Sequence, residues 1–350
     1  MKKIKIKICD YGTSKASSDH FIFIALSKYY EVELSEDPDY LFYHESTYNY
    51  LKYDCVKIFY TGENISPNFN LCDYAIGFDY INFEDRYYRL PLYLIKVFYN
   101  DDELKLAGNN YLNEQTHFTK EDLLHKTEFC SFVYSNYRAE EQRKIIFDKL
   151  SEYKKVNAGG GYLNNIGGRI NNKLEFEMKH KFSIAFENSS RSGYTTEKIV
   201  SSLVAKTIPI YWGNLNIGKE FNTNRFINCH DYESFDEVLA QVKEIDTDDD
   251  LYIKMINEPI AANGYDFDEV KNGFELFLRN IIDKPLHLAK RRTINPVRAI
   301  KMREYETIVA GYAKMQAFML KIVATIYQPF KSIKIIENLK YKYFKQINNN

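Results

Sequence analysis

The sequence predicts an α/β fold in which two parallel-sheet domains face each other across a cleft and a helical tail follows. Three observations carry that prediction. Short apolar runs alternate with amphipathic stretches along most of the chain, the pattern of strands buried on both faces and joined by helical crossovers. The polar stretch 100–122 breaks this pattern and splits the runs into two sets. From Lys284 onward the chain turns basic and amphipathic. With 350 residues there is chain enough for two cores, and the expected divisions are 1–125, 126–283 and 284–350.

In the first set, MKKIKIKI alternates lysine and isoleucine as a strand does, giving a strand over 4–8 and then an amphipathic helix over 18–30. Pro38 precedes a strand at 40–43. A strand over 56–60 runs into Thr61-Gly62-Glu63-Asn64, and a fourth spans 73–78. The second set restarts with a strand at 129–134 and a helix at 139–150 that carries Arg143 in its first turns. Gly159, Gly160 and Gly161 let backbone turn sharply or approach a neighbour closely; no Gly-Lys-Ser/Thr follows, so they do not make a phosphate loop.

A strand at 182–186 then breaks into the polar loop 187–194. Thr195 and Thr196 are cap-type residues, Glu197 places a negative charge in a first turn, and Ile199, Val200, Leu203 and Val204 recur at helical spacing. A strand at 207–212 ends at Gly213, completing one βαβ unit, and a strand at 226–229 and a helix at 234–245 follow. Open parallel sheets bind ligands at the carboxyl ends of their strands, so the loop 187–194 sits where a nucleotide would.

The stretches FENSSRSGYTTEKI (186–199) and TIPIYWG (207–213) resemble the donor-binding signature of the α-1,3-fucosyltransferases, glycosyltransferase family 10, in its bacterial branch. FYTGENISPNFNLCDYAIGFD (59–79) and FVYSNYRAEEQR (132–143) resemble two further blocks of that family, in the same order. The resemblance covers roughly residues 40 to 245 and implies the GT-B arrangement, two facing Rossmann-like domains. It implies GDP-fucose as donor, inverting transfer of L-fucose, and an acceptor such as N-acetyllactosamine or a related β-galactoside on lipopolysaccharide or another surface glycan.

Chemistry and resemblance meet at a few residues. A sugar nucleotide leaves as a diphosphate, and fixed cations in a dry cleft best neutralise its growing charge. Lys198 and Arg143 are the candidates, the latter match needing a one-residue insertion before it; alone, Arg143 reads as a solvated helix arginine. Glu197 suits the ribose hydroxyls, although in isolation it reads as a helix-start acid. Asn188 and Tyr194 match family positions that contact the donor. Ser189, Ser190, Arg191 and Ser192 fall in a variable part and carry no role over. Glu63, between Gly62 and Asn64 at a strand end, matches the family's catalytic base and would take the proton of the attacking hydroxyl.

No obligatory metal is expected, with divalent stimulation left open. Asp266-Phe-Asp268 and Asp248-Asp249-Asp250 read as helix caps or solvated loops, and the seven histidines show no ligand spacing. The five cysteines are scattered without a CxxC pair and read as buried reduced thiols. No apolar segment of signal-peptide length follows the N-terminus, so a cytosolic compartment is expected. Thirty tyrosines and 24 phenylalanines beside one tryptophan warn against reading every aromatic as a sugar platform.

The net charge of −1 hides a division: of 47 basic and 48 acidic residues, 14 and 3 lie in 284–350, leaving 33 and 45 in 1–283. An acidic body with a basic tail suggests attraction to an anionic membrane. Tyr305, Ile308, Tyr312, Met315, Met319, Ile322 and Ile326 form an a/d-like stripe, interrupted by Lys314 and Lys321. That stripe suits a helix packed on its own body, an interfacial membrane helix or a homodimer seam. Lys331, Lys334, Lys340, Lys342 and Lys345, interleaved with apolar residues, favour peripheral attachment to the cytoplasmic face of the inner membrane. No nucleic-acid motif is present. Two rivals stand beside the fucosyltransferase reading: an inverting GT-B enzyme using another nucleotide sugar, and a non-catalytic glycan or membrane adaptor.

Overall fold

The computed structural model describes residues 1–9, 18–44, 49–100, 112, 117–137, 139–293 and 295–327. The first sheet is built from β1 (Lys3–Cys9), β2 (Glu31–Leu34), β3 (Tyr40–Tyr43), β4 (Val56–Tyr60), β5 (Tyr74–Gly77) and β6 (Tyr87–Arg89). All pairings are parallel, in the order β2-β1-β3-β4-β5-β6. In β1 the isoleucines point inward and Lys3 and Lys5 outward, as the alternation requires. β3, β4 and β5 are buried on both faces, as expected of runs that are apolar and aromatic throughout except for Lys57 in β4.

The second sheet contains β7 (Glu128–Phe132), β8 (Val156–Ala158), β9 (His180–Phe186), β10 (Ile208–Trp212) and β11 (Ile227–Asn228), again all parallel. Its order, β11-β10-β9-β7-β8, sets β7 between β8 and β9, just as β1 lies between β2 and β3. Each sheet therefore reverses its winding direction beside its first strand, and the carboxyl ends there open a crevice. The strands β2, β6 and β8 were not expected from the sequence. β2 and β6 are short edge strands with charged or half-exposed residues, and β8 has three residues before a glycine run, so none presents an apolar period long enough to read.

Helix α1 (Phe21–Ser27) packs on the first sheet, shorter than the expected span because His20 accepts the Ile22 amide at its N-cap. The long helix α2 (Phe267–Ile282) departs from chain order. It follows the second sheet in sequence yet packs on the first: Lys28 and Tyr99 bond to Glu275, Tyr30 to Asp283, and Lys2 and Tyr40 to the Ile282 carbonyl. Phe267, Phe274, Phe277, Leu278, Ile281 and Ile282 are buried there. At about 1.5–3 kcal/mol per large apolar side chain, that burial decides the helix's position. Asp266 caps α2 by accepting from Asp268 and Glu269 amides, and Asp248 caps the helix Asp249–Ile256, as the cap readings of both acidic motifs expected.

The root of the tail is also docked on the first domain. Lys284 and Arg291 pair with Asp85, and Arg292 with Asp73. Beyond it, α3 (Pro296–Tyr327) presents Tyr305, Ile308, Tyr312, Met315, Met319 and Ile322 at 43–66 % exposure, so the stripe is not packed on the protein's own body. Lys331 through Lys345 lie outside the described residues. No described helix is long and apolar enough to cross a membrane. All five cysteines are buried and unpaired.

Candidate active site

β9 is the floor of the site. Its seven residues are nearly all buried, and the ladder continues one residue further, where the Glu187 amide donates to the Trp212 carbonyl at 2.8 Å. This carries the Glu187 side chain into the interior at 1 % exposure. A carboxylate there must be satisfied, and it is. It accepts from the Thr196 amide at 2.7 Å, the Thr196 hydroxyl at 2.6 Å and Lys198 Nζ at 3.0 Å. Thr196 stands at the N-cap of the helix Glu197–Val204, but its hydroxyl donates to Glu187 and accepts from Lys198 at 2.7 Å, so it does not cap the helix as expected.

Lys198 is thus held by Glu187, with Glu197 3.9 Å away on its other side. Burial alone would lower its pKa; the two carboxylates outweigh that and raise it. Glu197 is half-buried, which opposes ionisation, yet Lys198 and Lys173 hold its carboxyl below the usual range. The site therefore keeps its cation charged and its acid ionised.

Arg143 comes from the first turn of the helix Gln142–Tyr153 and is 2 % exposed, not solvated as its isolated context suggested. Its guanidinium lies 4.0 Å over the Tyr134 ring and donates to the Phe186 carbonyl at 2.9 Å and to Asn188 Oδ1 at 3.0 Å. Tyr134 is itself pinned across β9, donating to the Ile184 carbonyl and accepting the Phe186 amide, each at 2.7 Å. The glycine run explains itself here: a Cβ on Gly160 would fall 2.0 Å from the Tyr134 carbonyl oxygen. The run is structural and braces the tyrosine under Arg143.

Tyr194 is buried edge-on against Phe78 of the first domain, ring centres 5.2 Å apart. Burial pushes its phenol up, and the charges of Glu187, Glu63 and Glu197 add to the push. Gly193 permits this approach: its φ is +84°, and a Cβ would meet the Phe78 carbonyl oxygen at 2.4 Å. Glu63 sits on the turn after β4 with an exposed side chain, its amide bonded to the Thr61 hydroxyl at 3.0 Å. The next residue reaches across: Asn64 Nδ2 donates to Ser189 Oγ at 2.6 Å.

Three groups that sequence reasoning passed over complete the site. Glu187 is one; an acid directly after the buried run Phe182–Phe186 was the available signal. Arg191, to which no role was carried over, donates to Asn64 Oδ1 at 2.8 Å, Asp79 Oδ1 at 2.6 Å and Ser66, clasping the donor loop to the first domain. Glu220, 1 % exposed, accepts from Arg89 at 2.7 Å, Tyr80 at 3.0 Å and Tyr93 at 2.6 Å, all from the first domain. No local pattern announces Glu220. Among the described residues no group of three or more His, Cys, Asp or Glu is placed to hold a metal ion.

Arg143, Lys198 and Glu197 thus gather around the carboxyl end of β9, and the turn that holds Glu63, from the other sheet, meets the loop after β9 through Asn64 and Ser189. Residues 6–98 match the α-(1,3)-fucosyltransferase FucT N-terminal domain, and residues 123–257 match the C-terminal part of glycosyltransferase family 10 (fucosyltransferase). The α-(1,3)-fucosyltransferase FucT of Helicobacter pylori is 37 % identical over 273 residues, 70 % of this chain. The chain spans 57 % of that relative's length. A crystal structure of an α1,3-fucosyltransferase with GDP-fucose superposes with a TM-score of 0.64 at 30 % identity, covering 82 % of this chain and 93 % of the other. A second, with GDP, gives 0.64 at 32 % identity over 80 % and 91 % of the two chains. The two parallel-sheet domains are the GT-B fold. Two domain matches in the right order, and a solved relative matched over nine-tenths of its length, establish that the chain belongs to glycosyltransferase family 10, the fucosyltransferases.

Proposed function

We propose that the protein is an inverting α-1,3-fucosyltransferase that uses GDP-β-L-fucose. The observation that carries this reading is the paired placement of Arg143 and Lys198 around the end of β9, with the Glu63 turn tied to the same loop through Asn64 and Ser189. The diphosphate lies against Arg143 and Lys198, Glu197 takes the ribose hydroxyls, and Asn188 and Tyr194 orient the donor. The Glu63 carboxylate accepts the proton of the acceptor hydroxyl as its oxygen bonds to the anomeric carbon. The bond from that carbon to the diphosphate oxygen breaks on the opposite face, and GDP leaves with its added charge met by the two cations. Inversion of the β-linked donor gives an α-linked product.

The acceptor is a β-galactoside carrying GlcNAc, such as N-acetyllactosamine, within a bacterial surface glycan. No metal takes a required part in this scheme; the two side-chain cations fill the role, and added divalent ions stimulate at most. The exposed stripe of α3 and the basic residues after it hold the enzyme on the cytoplasmic face of the membrane.

Incubation of the full chain with GDP-fucose and a small acceptor panel, followed by mass spectrometry and NMR of the product linkage, tests the reading. Glu63→Gln should lower turnover by about 10²–10⁴-fold while GDP binding persists. Near-normal turnover in that variant would remove Glu63 as the base. Thermal stabilisation by UDP in place of GDP would favour a transferase of another nucleotide sugar.

A further inference from the structure

At the opposite end of β4 and β5 from the cleft lies a second cavity, of about 300 Å³, walled by Tyr50, Lys57, Asn70, Lys290, Arg292 and Thr293 among others. β4 has five residues, and at about 3.3 Å per residue this cavity is roughly 17 Å from the Glu63 turn. It belongs to no part of the site described above.

Its charges do not balance. Asp73 is fully used: its carboxylate accepts the Lys57, Arg291 and Arg292 amides at 2.7, 2.6 and 2.8 Å and pairs with Arg292 Nε at 3.1 Å. Asp54 is exposed and stands 3.7 Å from both Lys290 and Arg292. Two acids thus face three bases, and the base left over is Lys57. That lysine is 3 % exposed and, among the described residues, has neither a hydrogen bond nor an ion pair for its ammonium; the Tyr50 ring lies 5.8 Å away. Burial, with Arg292 nearby, pushes its pKa down to about 8. A buried ammonium without a partner is costly, and a ligand that supplies the counter-charge removes the cost.

We propose that this cavity binds a phosphate monoester, with Lys57, Arg292 and Lys290 meeting the phosphate. Three cations converging from a strand and from the tail root suit a group with three free oxygens and two charges better than a carboxylate with two oxygens. Asn70 and Thr293 add neutral donors at the wall, and Tyr50 offers an apolar face to the alcohol portion of the ester. The phosphate can come from a soluble ester or from a lipid headgroup, since the cavity lies where the chain leaves the body for α3.

Melting of the full chain is followed against glycerol 3-phosphate, at constant ionic strength in sodium chloride and with GDP present throughout. A saturable rise in the melting midpoint is expected. In Lys57→Met the half-saturating concentration should increase by at least about tenfold, and in Lys290→Gln by a smaller factor. Without ligand, Lys57→Met should melt no lower than the parent. Absence of a saturable shift beyond the salt control overturns the proposal, as does an unchanged half-saturation in Lys57→Met. If that variant does not fold, unchanged half-saturation in Lys290→Gln has the same force. Phosphatidic acid vesicles separate the sources: capture that depends on Lys57 assigns a headgroup, and capture independent of Lys57 beside a Lys57-dependent shift with glycerol 3-phosphate assigns a soluble ester.

Discussion

Replacing Glu187 by Gln exchanges one carboxylate oxygen for an NH₂ group at the centre of the site. The carboxamide oxygen can still accept from the Thr196 amide, but its NH₂ group then faces the Thr196 hydroxyl and the Lys198 ammonium, both donors to the native carboxylate. Lys198 loses its nearest counter-charge and keeps only Glu197, 3.9 Å away. Removing one partner of a buried ion pair costs about 3–5 kcal/mol. Because the Lys198 side chain is 16 % exposed and Glu197 remains, the lower end, about 3 kcal/mol, is the expected loss. At about 2.1 cal/mol/K per residue, a unit of 350 residues shifts by about 1.4 °C per kcal/mol, so thermal unfolding should move down by roughly 4 °C. Saturating GDP should then narrow the gap, since its diphosphate returns negative charge to Lys198. Calorimetric or fluorimetric melts of both proteins with and without GDP measure both effects. Equal melting without nucleotide refutes Glu187 as the balancing charge, and a gap that GDP leaves unchanged refutes Lys198 as a diphosphate ligand.

Arg191→Ala should lower turnover several-fold by releasing the donor loop from Asn64, Ser66 and Asp79, yet change unfolding free energy by less than about 1 kcal/mol because the side chain is one-third exposed; steady-state rates and melts on the same samples check this. Asp246 is held below its ordinary pKa of 3.8: burial opposes ionisation, but Lys154 and Lys181 outweigh it. Its contribution is therefore fully present above that pH and lost as pH falls below it, so acid unfolding of Asp246→Asn should show a flatter limb below about pH 4. Truncation after Thr293 keeps the pairs of Lys284, Arg291 and Arg292 with Asp85 and Asp73, whereas ending at Asp283 removes them. The chain ending at Thr293 should melt like the parent and lose co-sedimentation with anionic vesicles; equal sedimentation of the two would remove the membrane role.

What the sequence revealed and what it hid divide along physical lines. β4, β9 and β10 declare themselves because strands buried on both faces are predominantly apolar, and the strand ends then locate the loops that hold Glu63, Asn188 and Lys198. Edge strands such as β6 need satisfy only one neighbour, so Tyr87–Arg89 carries no period to detect. The position of α2 is set by where Phe274 and Ile281 find apolar partners across more than 200 residues of chain, which no local window contains. Arg143 was legible as a motif residue but not as a buried one, because Tyr134 and Asn188 Oδ1 reach it only after β7 and β9 pair. Glu220 was hidden for the same reason: Arg89, Tyr80 and Tyr93 meet it from the other domain.

Ile199, Val200, Leu203 and Val204, on the helix that follows the donor loop, belong to the same apolar cluster as Ile58, Ile76 and Phe274 of the first domain. A rigid swing of one sheet away from the other would pull that helix out of shared oil and strand several large side chains in water, at about 1.5–3 kcal/mol apiece. Nucleotide exchange is thereby steered toward motion of the loop segments alone, with the relative pose of the two halves fixed by the hydrocarbon between them.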